Sequence, residues 1–362
     1  LWYAREGTLD KEQIAKIAPN IVLSKHIGSY DSLFTDLANE MKQYVKEIIK
    51  KDPNAHFNFI TDEYRNWLEF PVFLEQGLTS EQYSVKYYSD GTLSYVAEYD
   101  ILNENTYELF VKEKNNYFKI IDRVRKGKYK SATNCDYLIN DELGTTDGLP
   151  GYTYDANYVL LATLRSNVEY YLQYPELIKF KDPKVDKKMK NANIKKLNVK
   201  DKFNNLTKEE QKMFFKIINL NKELFDREYF NSDENKYLII TGTSPAFGKY
   251  DEDKFYELID NVVLKYGNEY KILYKPHPLA LPDEKMRNIF NSKNIAILPG
   301  QMPMEAITFV YDNLKLGGFP SSLYMNVSAE ETLFFFEDSK ETLVSPLNKL
   351  YDEIFTNAEI MK

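Results

Sequence analysis

The sequence has little cysteine and little histidine: one Cys and three His occur among 362 residues. The single thiol, Cys135, excludes an intrachain disulfide framework and fits a reducing compartment. It has no His or Cys neighbours at metal-ligand spacing, so we interpret it as a structural thiol. Among the histidines only His277 is flanked by prolines, and His26 and His56 have no comparable setting. His277 is therefore the histidine to consider first for chemistry.

Excess positive charge and long apolar runs are also missing. Lys and Arg number 47 against 55 Asp and Glu, and the net charge of −8 argues against a nucleic-acid-binding protein. No apolar run approaches the about 20 residues that span a bilayer, and no signal peptide is visible. The chain begins at Leu1 rather than at Met. We therefore expect a native segment before it, either a first strand or an anchor that associates with a membrane.

The length favours two domains, each with its own core. In the first half, apolar patterns predict strands and helices in alternation, which is typical of a Rossmann-like parallel sheet. The predicted strands are 21–23, 57–60 and 83–88, and the predicted helices are 32–49, 63–76, 103–125 and 156–172. A glycine-rich loop is predicted at 144–152. The lysine-rich stretch 179–202 is interpreted as an interdomain linker, with an ordinary solvated surface as the alternative.

The second half repeats this alternation. Thr207 and Glu210 form a predicted capping box at a helix start, and Asp251 is a predicted helix cap. The predicted strands are 237–240, 271–274 and 295–298, and the predicted helices are 253–264, 283–290 and 304–310. The predicted fold class is α/β and GT-B-like, with two Rossmann-like domains whose parallel sheets face a deep cleft.

Two strand-to-loop junctions carry candidate catalytic groups. Asp90, in Ser-Asp-Gly-Thr after a strand, is either a general base or a turn-capping aspartate. His277 follows another strand, in Lys275-Pro276-His277-Pro278. Ligands bind at the carboxyl ends of strands in open α/β sheets, and a lysine beside a histidine suits a phosphate. The alternative for His277 is a surface turn.

Two further junctions carry candidate binding groups. Ser321 and Ser322 follow Gly317-Gly318, where hydroxyls and N–H groups favour an anion; the alternative is an ordinary turn. Glu305 is either a ribose-binding acid or a first-turn glutamate favoured by the helix dipole. No cluster has metal-ligand spacing, and Asp-x-Asp is missing near these loops. We therefore expect a metal-independent site that needs no cofactor.

The order of these motifs resembles that of the bacterial sialyltransferases of glycosyltransferase family 80. The resemblance runs from about residue 21 to about 327. It rests on Asp90-Gly91, Thr241-Gly242-Thr243, Lys275-Pro276-His277-Pro278, Glu305, and Gly317-Gly318 followed by Ser321-Ser322 and Tyr324. The family motif Lys-Gly-His-Pro has Pro276 in place of glycine here. Phe247 is a weak stand-in for a tryptophan on the acceptor side, and the family's acceptor histidine is replaced near Tyr64.

The resemblance implies a role for each matching residue. Asp90 would deprotonate the acceptor hydroxyl, and His277 would stabilise the departing CMP phosphate, which Ser321 and Ser322 would also contact. Glu305 would bind the ribose, and Lys275 and Pro276 would lie near the cytosine. The Thr241-Gly242-Thr243 loop would also bind the donor, and Phe247 and Tyr64 would contact the acceptor.

The resemblance also implies domain roles. Residues 1–190 would bind the acceptor and carry the base, 191–345 would bind the CMP-sugar, and 346–362 would be a helical segment that packs back on the N-terminal domain. The expected activity is inverting, metal-independent transfer of sialic acid from CMP-sialic acid to a galactoside-type acceptor. The expected location is the bacterial cytoplasm or the cytoplasmic face of the membrane. The alternatives are a Kdo-like CMP-keto-sugar transferase, a catalytically silent binding protein for glycans or nucleotides, and a sugar-nucleotide epimerase.

Overall fold

The protein was analysed as a computed structural model that describes residues 1, 9–26, 34–89, 95, 106–127, 158–178, 180–231, 236–241, 251–277, 281–300, 302–336 and 347–362. The chain divides into two compact units. Unit 1 comprises Leu1–Glu6 and Val22–Leu197, and unit 2 comprises Gly7–Ile21 and Asn198–Lys362. The units thus divide after Leu197, seven residues beyond the predicted boundary of 190, and a short N-terminal segment belongs to unit 2. The roles expected for the two domains stay predictions.

Unit 1 contains a parallel sheet with four strands in its described part. The strands lie in the order β1 (Phe57–Asp62), β2 (Tyr83–Tyr88), β3 (Val168–Leu172) and β4 (Ile194–Lys196). Its described α-helices include Phe34–Lys51, Glu69–Val72, Tyr107–Arg125 and Pro183–Met189. The strands predicted at 57–60 and 83–88 and the helices predicted at 32–49 and 103–125 are confirmed within a few residues at their ends. The glycine-rich loop predicted at 144–152 lies outside the described residues.

Two predictions for the start of unit 1 are wrong. Residues 21–23 have no regular structure. The helix predicted at 63–76 is broken into the 3₁₀ segment Glu63–Leu68, the α-helical turn Glu69–Val72 and the 3₁₀ segment Leu74–Gln76. Within it, the Asn66 side-chain amide donates to the Glu63 carbonyl at 2.6 Å. Such local side-chain bonds compete with the helical backbone ladder.

The C-terminal part of unit 1 corrects two more predictions. Residues 158–162 are helical, but the predicted helix 156–172 ends in β3, where Val168, Tyr170 and Leu172 are buried in strand alternation. The predicted linker 179–202 contains a helix, strand β4 and the start of another helix. Its helix Pro183–Met189 is capped by the Asp182 side chain and buries apolar side chains among its lysines.

A buried polar network joins the helical turn, β2 and the loop before β3. The Arg165 guanidinium contacts the Glu69 carboxylate at 2.6 Å, and their side chains are 8% and 0% exposed. The Tyr83 hydroxyl donates to Glu69 at 2.7 Å, and Arg165 donates to the hydroxyls of Tyr83 and Tyr117. Burial raises the pKa of Tyr117 to about 12, and burial with the Glu69 carboxylate raises the pKa of Tyr83 well above its ordinary value. The phenols therefore stay neutral.

Unit 2 contains a parallel sheet with six strands in its described part. Its strands are β5 (Lys236–Thr241), β6 (Tyr270–Tyr274), β7 (Ala296–Ile297), β8 (Leu314–Gly318), β9 (Thr332–Phe336) and β10 (Glu359–Met361). Their order across the sheet is β10-β9-β8-β5-β6-β7. The α-helices in its described part are Lys11–Ile17, Val199–Asn204, Lys208–Ile217, Lys222–Tyr229, Glu252–Tyr266, Glu284–Ser292, Met304–Val310 and Leu347–Ile354.

Most predicted elements of the second half are confirmed. Thr207 and Glu210 form the predicted capping box, and the Asp251 side chain caps its helix. The core of this unit packs helix and strand aromatics together, among them Phe255, Phe290 and Phe334, which are all fully buried. The segment expected to be helical at 346–362 contains the helix Leu347–Ile354 and then β10, which pairs with β9. No helix in the described ranges is long and apolar enough to span a membrane.

We expect the Arg165→Met variant to lose about 3 to 5 kcal/mol of unfolding free energy, because Glu69 would be left buried without its cation. The matched control is Lys126→Met, which removes an ion pair with Asp122 whose two side chains are more than half exposed. That loss should stay below about 1 kcal/mol. Urea unfolding at pH 7 measures both, and equal losses would contradict the prediction.

Candidate functional site

The strand order of unit 2 defines where a ligand would bind. From β5 the chain adds β6 and β7 on one side, and then β8, β9 and β10 on the other side. The direction therefore reverses between β5 and β8. Ligands of open α/β sheets bind at this switch point, outside the carboxyl ends of the strands. Those ends are Thr241 for β5 and Gly318 for β8, and both belong to motifs singled out in the sequence.

Two glycines allow β8 to pack closely against its neighbours. Gly318 has φ of +119°, and a Cβ there would lie 2.5 Å from the Thr241 carbonyl oxygen. A Cβ on Gly317 would lie 2.3 Å from the Phe334 ring. Side chains at either position would therefore clash with fixed groups. The Gly-Gly pair is required for the geometry of the switch point itself.

Hydrogen bonds to buried groups fix the loop that follows β8. The Phe319 N–H donates to the Thr241 carbonyl at 3.0 Å. Thr241 is 2% exposed, and its hydroxyl lies 2.8 Å from the Tyr324 hydroxyl. The Ser321 carbonyl accepts from the Tyr324 N–H at 3.1 Å and from the Tyr351 hydroxyl at 2.6 Å. The loop that carries Ser321 and Ser322, where a phosphate is expected, is therefore hydrogen-bonded to β5 and to the helix Leu347–Ile354.

Lys275 connects the loops after β6 and β7. Its N–H donates to the Ile240 carbonyl at 2.9 Å. Its Nζ donates to the Pro276 carbonyl at 2.8 Å and to the Gly300 carbonyl at 2.9 Å. Only 5% of the residue is exposed. Burial lowers the pKa of the Lys275 ammonium to about 8, and the Glu305 carboxylate partly opposes this shift.

The other described candidates near Lys275 lie in or beside the loops after β6 and β7. Pro276 is buried, and His277 directly follows it and is partly exposed. Glu305 lies in the first turn of the helix Met304–Val310, partly exposed and close enough to interact electrostatically with Lys275. The backbone of unit 2 therefore places six candidates at the carboxyl edge of a single sheet: Thr241, Lys275, Pro276, His277, Glu305 and Ser321.

Several predicted site residues lie outside the described residues: Asp90, Gly242, Thr243 and Phe247. For Tyr64 and Ser322 the backbone is described, in the 3₁₀ segments Glu63–Leu68 and Ser322–Asn326, and the side chains are not. Their roles stay predictions. Within the described ranges, no group of His, Cys, Asp and Glu could hold a metal ion.

Two residues of the site were missed in the sequence. Gly300 supplies a carbonyl to Lys275, and Tyr351 supplies a hydroxyl to Ser321. The Pro299-Gly300 pair after a short apolar strand indicates a turn, but a turn does not indicate a partner for a lysine. Tyr351 follows Leu350 in the helix Leu347–Ile354, and an aromatic residue beside an apolar one in a helix resembles an ordinary core residue.

Comparison with solved structures identifies the fold. An α/β-galactoside α-2,3-sialyltransferase from Photobacterium phosphoreum matches with a TM-score of 0.67 at 15% identity, over 99% of this chain and 89% of that chain. A sialyltransferase from Photobacterium damsela matches with a TM-score of 0.67 at 16% identity, over 98% of this chain and 72% of that chain. A 2,6-sialyltransferase from Photobacterium sp. JT-ISH-224, in complex with CMP and lactose, matches with a TM-score of 0.63 at 16% identity. The match covers 98% of this chain and 70% of that chain.

These likenesses confirm the predicted fold class, an α/β fold of the GT-B type found in bacterial sialyltransferases. No protein-family model matches the sequence. No match is found among curated proteins. At 15% to 17% identity the likeness concerns the fold, and the chemistry has to be argued from the residues.

The lowered pKa of Lys275 predicts how stability depends on pH. Since about 8 is below the ordinary value of 10.5, the folded protein binds fewer protons than the unfolded chain between those values. The contribution of Lys275 to the unfolding free energy should therefore rise by about 2 kcal/mol between about pH 7.5 and 9.5. Urea unfolding of the wild type and of Lys275→Met across this range measures the rise, which the variant should lack. A constant difference between the two proteins would contradict the prediction.

Proposed function

We propose that this protein is a sialyltransferase that moves sialic acid from CMP-sialic acid to a galactoside-type acceptor. The observation that carries the proposal is the switch point of unit 2, where Thr241 ends β5, Gly317-Gly318 ends β8, and Ser321 lies in the loop that follows β8. These motifs occupy the expected ligand-binding edge in a fold shared with sialyltransferases, one of them solved with CMP and lactose.

The charges of the site support an anionic donor. Lys275 is a buried cation whose charged form is disfavoured by desolvation. A bound phosphate would stabilise that charge, since opposite charges nearby favour ionisation. His277 follows on the same stiff turn and would contact the phosphate, with Ser321 and Ser322 on its other side. Pro276 would lie near the cytosine, and Glu305 would accept hydrogen bonds from the ribose hydroxyls.

The proposed reaction is a single displacement that inverts the anomeric centre. The acceptor hydroxyl oxygen attacks the anomeric carbon of sialic acid while Asp90 takes the hydroxyl proton. The bond from that carbon to the phosphate oxygen breaks, and CMP leaves with the bonding electron pair. His277 and the serine loop would stabilise the charge that develops on the phosphate. No metal ion is required, because these groups offset the phosphate charge.

The end of β2 supports the position proposed for Asp90. The residue before it, Ser89, donates its N–H to the Tyr171 carbonyl at 3.2 Å. The rings of Tyr88 and Tyr171 stack there with centroids 5.1 Å apart. The strand end that directly precedes Asp90 is therefore anchored to β3. An anchored strand end supports the role proposed for Asp90, because a catalytic group has to be oriented.

We expect the wild type to form sialyllactose from CMP-sialic acid and lactose, and Asp90→Asn to slow transfer by about 10² to 10⁴-fold. CMP affinity should be unchanged, because the general base does not bind the nucleotide. Mass spectrometry measures the product, and calorimetry measures CMP binding. His277→Asn is the contrasting variant, which should lose both transfer and CMP affinity.

Each other outcome rejects a part of the proposal. CMP binding without transfer by the wild type would indicate a catalytically silent binding protein. Transfer from CMP-Kdo alone would indicate a transferase of another keto-sugar. Full activity in Asp90→Asn would disprove the proposed mechanism, and solvent deuterium in the recovered donor sugar would indicate an epimerase.

The rate of transfer should not change when EDTA is added, because the proposed phosphate contacts come from His277 and the serine loop, with the charge of Lys275 nearby. The initial rate of product formation is measured with EDTA and then with added Mg²⁺ or Mn²⁺. A fall of tenfold or more that the metal restores would show that a cation takes part in donor binding.

A further inference from the structure

The Ser321 carbonyl oxygen accepts two hydrogen bonds. The Tyr324 N–H donates to it at 3.1 Å, and the Tyr351 hydroxyl donates at 2.6 Å. A carbonyl oxygen has two lone pairs, so both are used. The N–H donor closes a local turn within the loop, whereas the hydroxyl arrives from a helix 30 residues further along the chain.

The direction of this carbonyl fixes the direction of the next N–H. A trans peptide is planar, and its C=O and N–H point to opposite sides. The Ser321 carbonyl is directed towards Tyr351, which is 0% exposed. The N–H of Ser322 in the same peptide therefore points away from that buried tyrosine. The Ser321–Ser322 peptide follows β8 at the switch point, which is the edge where the donor phosphate is proposed to bind.

We propose that Tyr351 is a positioning residue that aims the Ser321–Ser322 peptide N–H at the phosphate of the nucleotide donor. This inference rests on the proposed function for the identity of the ligand. Tyr351 itself is buried and does not touch the donor. Its hydroxyl acts through the Ser321 carbonyl by opposing rotation of the peptide plane.

The setting of Tyr351 suits this role, because the ring is held on several sides. Its centroid lies 5.4 Å from that of Phe335 in β9 and 5.2 Å from that of Phe355, which follows the helix. Phe335 is fully buried, and Phe355 is 2% exposed. A hydroxyl on a packed ring keeps its position, so it can define the orientation of a loop peptide.

The test is Tyr351→Phe, which removes the hydroxyl and keeps the ring in place. We expect CMP to bind about 10-fold to 150-fold more weakly, the range for losing one hydrogen bond to a charged group. Cytidine, which has the same base and ribose without the phosphate, should bind within about twofold of the wild type. Calorimetry with both ligands measures this, because a general structural defect would weaken both.

Tyr311→Phe is the matched control. The Tyr311 hydroxyl donates to the Asp226 carboxylate, and the residue lies just before β8, at the amino edge of the same sheet. This variant also loses one tyrosine hydroxyl bond in unit 2, and CMP affinity should not change. In ligand-free protein, hydrogen exchange at the Tyr324 amide, which donates to the Ser321 carbonyl, should be faster in Tyr351→Phe than in Tyr311→Phe.

The outcomes separate this inference from the proposed function. Equal CMP affinity in Tyr351→Phe and the wild type, or equal weakening of CMP and cytidine, would overturn the inference. A wild type that binds CMP without transferring sialic acid would reject the activity, and a selective CMP defect in Tyr351→Phe would still support the inference. A wild type that binds no CMP would overturn both.

Discussion

The pairing of β5 with β8 is the contact on which the candidate site depends. It brings Thr241 beside Gly318 and creates the reversal of strand order at which ligands bind. The pairing tolerates no side chain at Gly318, because the Thr241 carbonyl lies 2.5 Å from the position of a Cβ. The sequence Gly317-Gly318 resembles an ordinary turn, but the close packing at the centre of the sheet requires glycine there. The serine loop acquires its position from that requirement.

Groups that belong to the core hold the loops of this edge. The Lys275 ammonium donates to two carbonyls from different loops. The buried hydroxyl of Tyr324 is hydrogen-bonded to the Thr241 hydroxyl, and that of Tyr351 to the Ser321 carbonyl. Such contacts fix backbone direction before a ligand arrives, so less ordering entropy is lost on binding. The lowered pKa of Lys275 adds a second effect. An anion at this edge would favour protonation of the amine, which couples binding to proton uptake above about pH 8.

The sequence predicted elements well where one periodicity dominated, as in β2, where buried and half-buried side chains alternate, and in the helix capped by Thr207. It failed for β3 and β4. Only five residues separate β3 from a helical segment that ends at residue 162, so one apolar pattern covers both. The buried positions near β4 are hidden among lysines. Gly300 and Tyr351 could not be predicted as parts of the site, because their partners are backbone carbonyls that only the tertiary structure brings near.

The proline at position 276 is the main departure from the Lys-Gly-His-Pro motif, and the structure gives it a physical meaning. Pro276 is buried, and its carbonyl accepts from the Lys275 ammonium, so the substitution keeps the acceptor that this contact needs. A proline has fewer backbone conformations than a glycine in the unfolded chain and in a loop. The turn that presents His277 is therefore pre-set by the chain itself as well as by Lys275. The contact proposed between His277 and a phosphate therefore needs no flexibility in this turn, because the turn begins at the fixed end of β6.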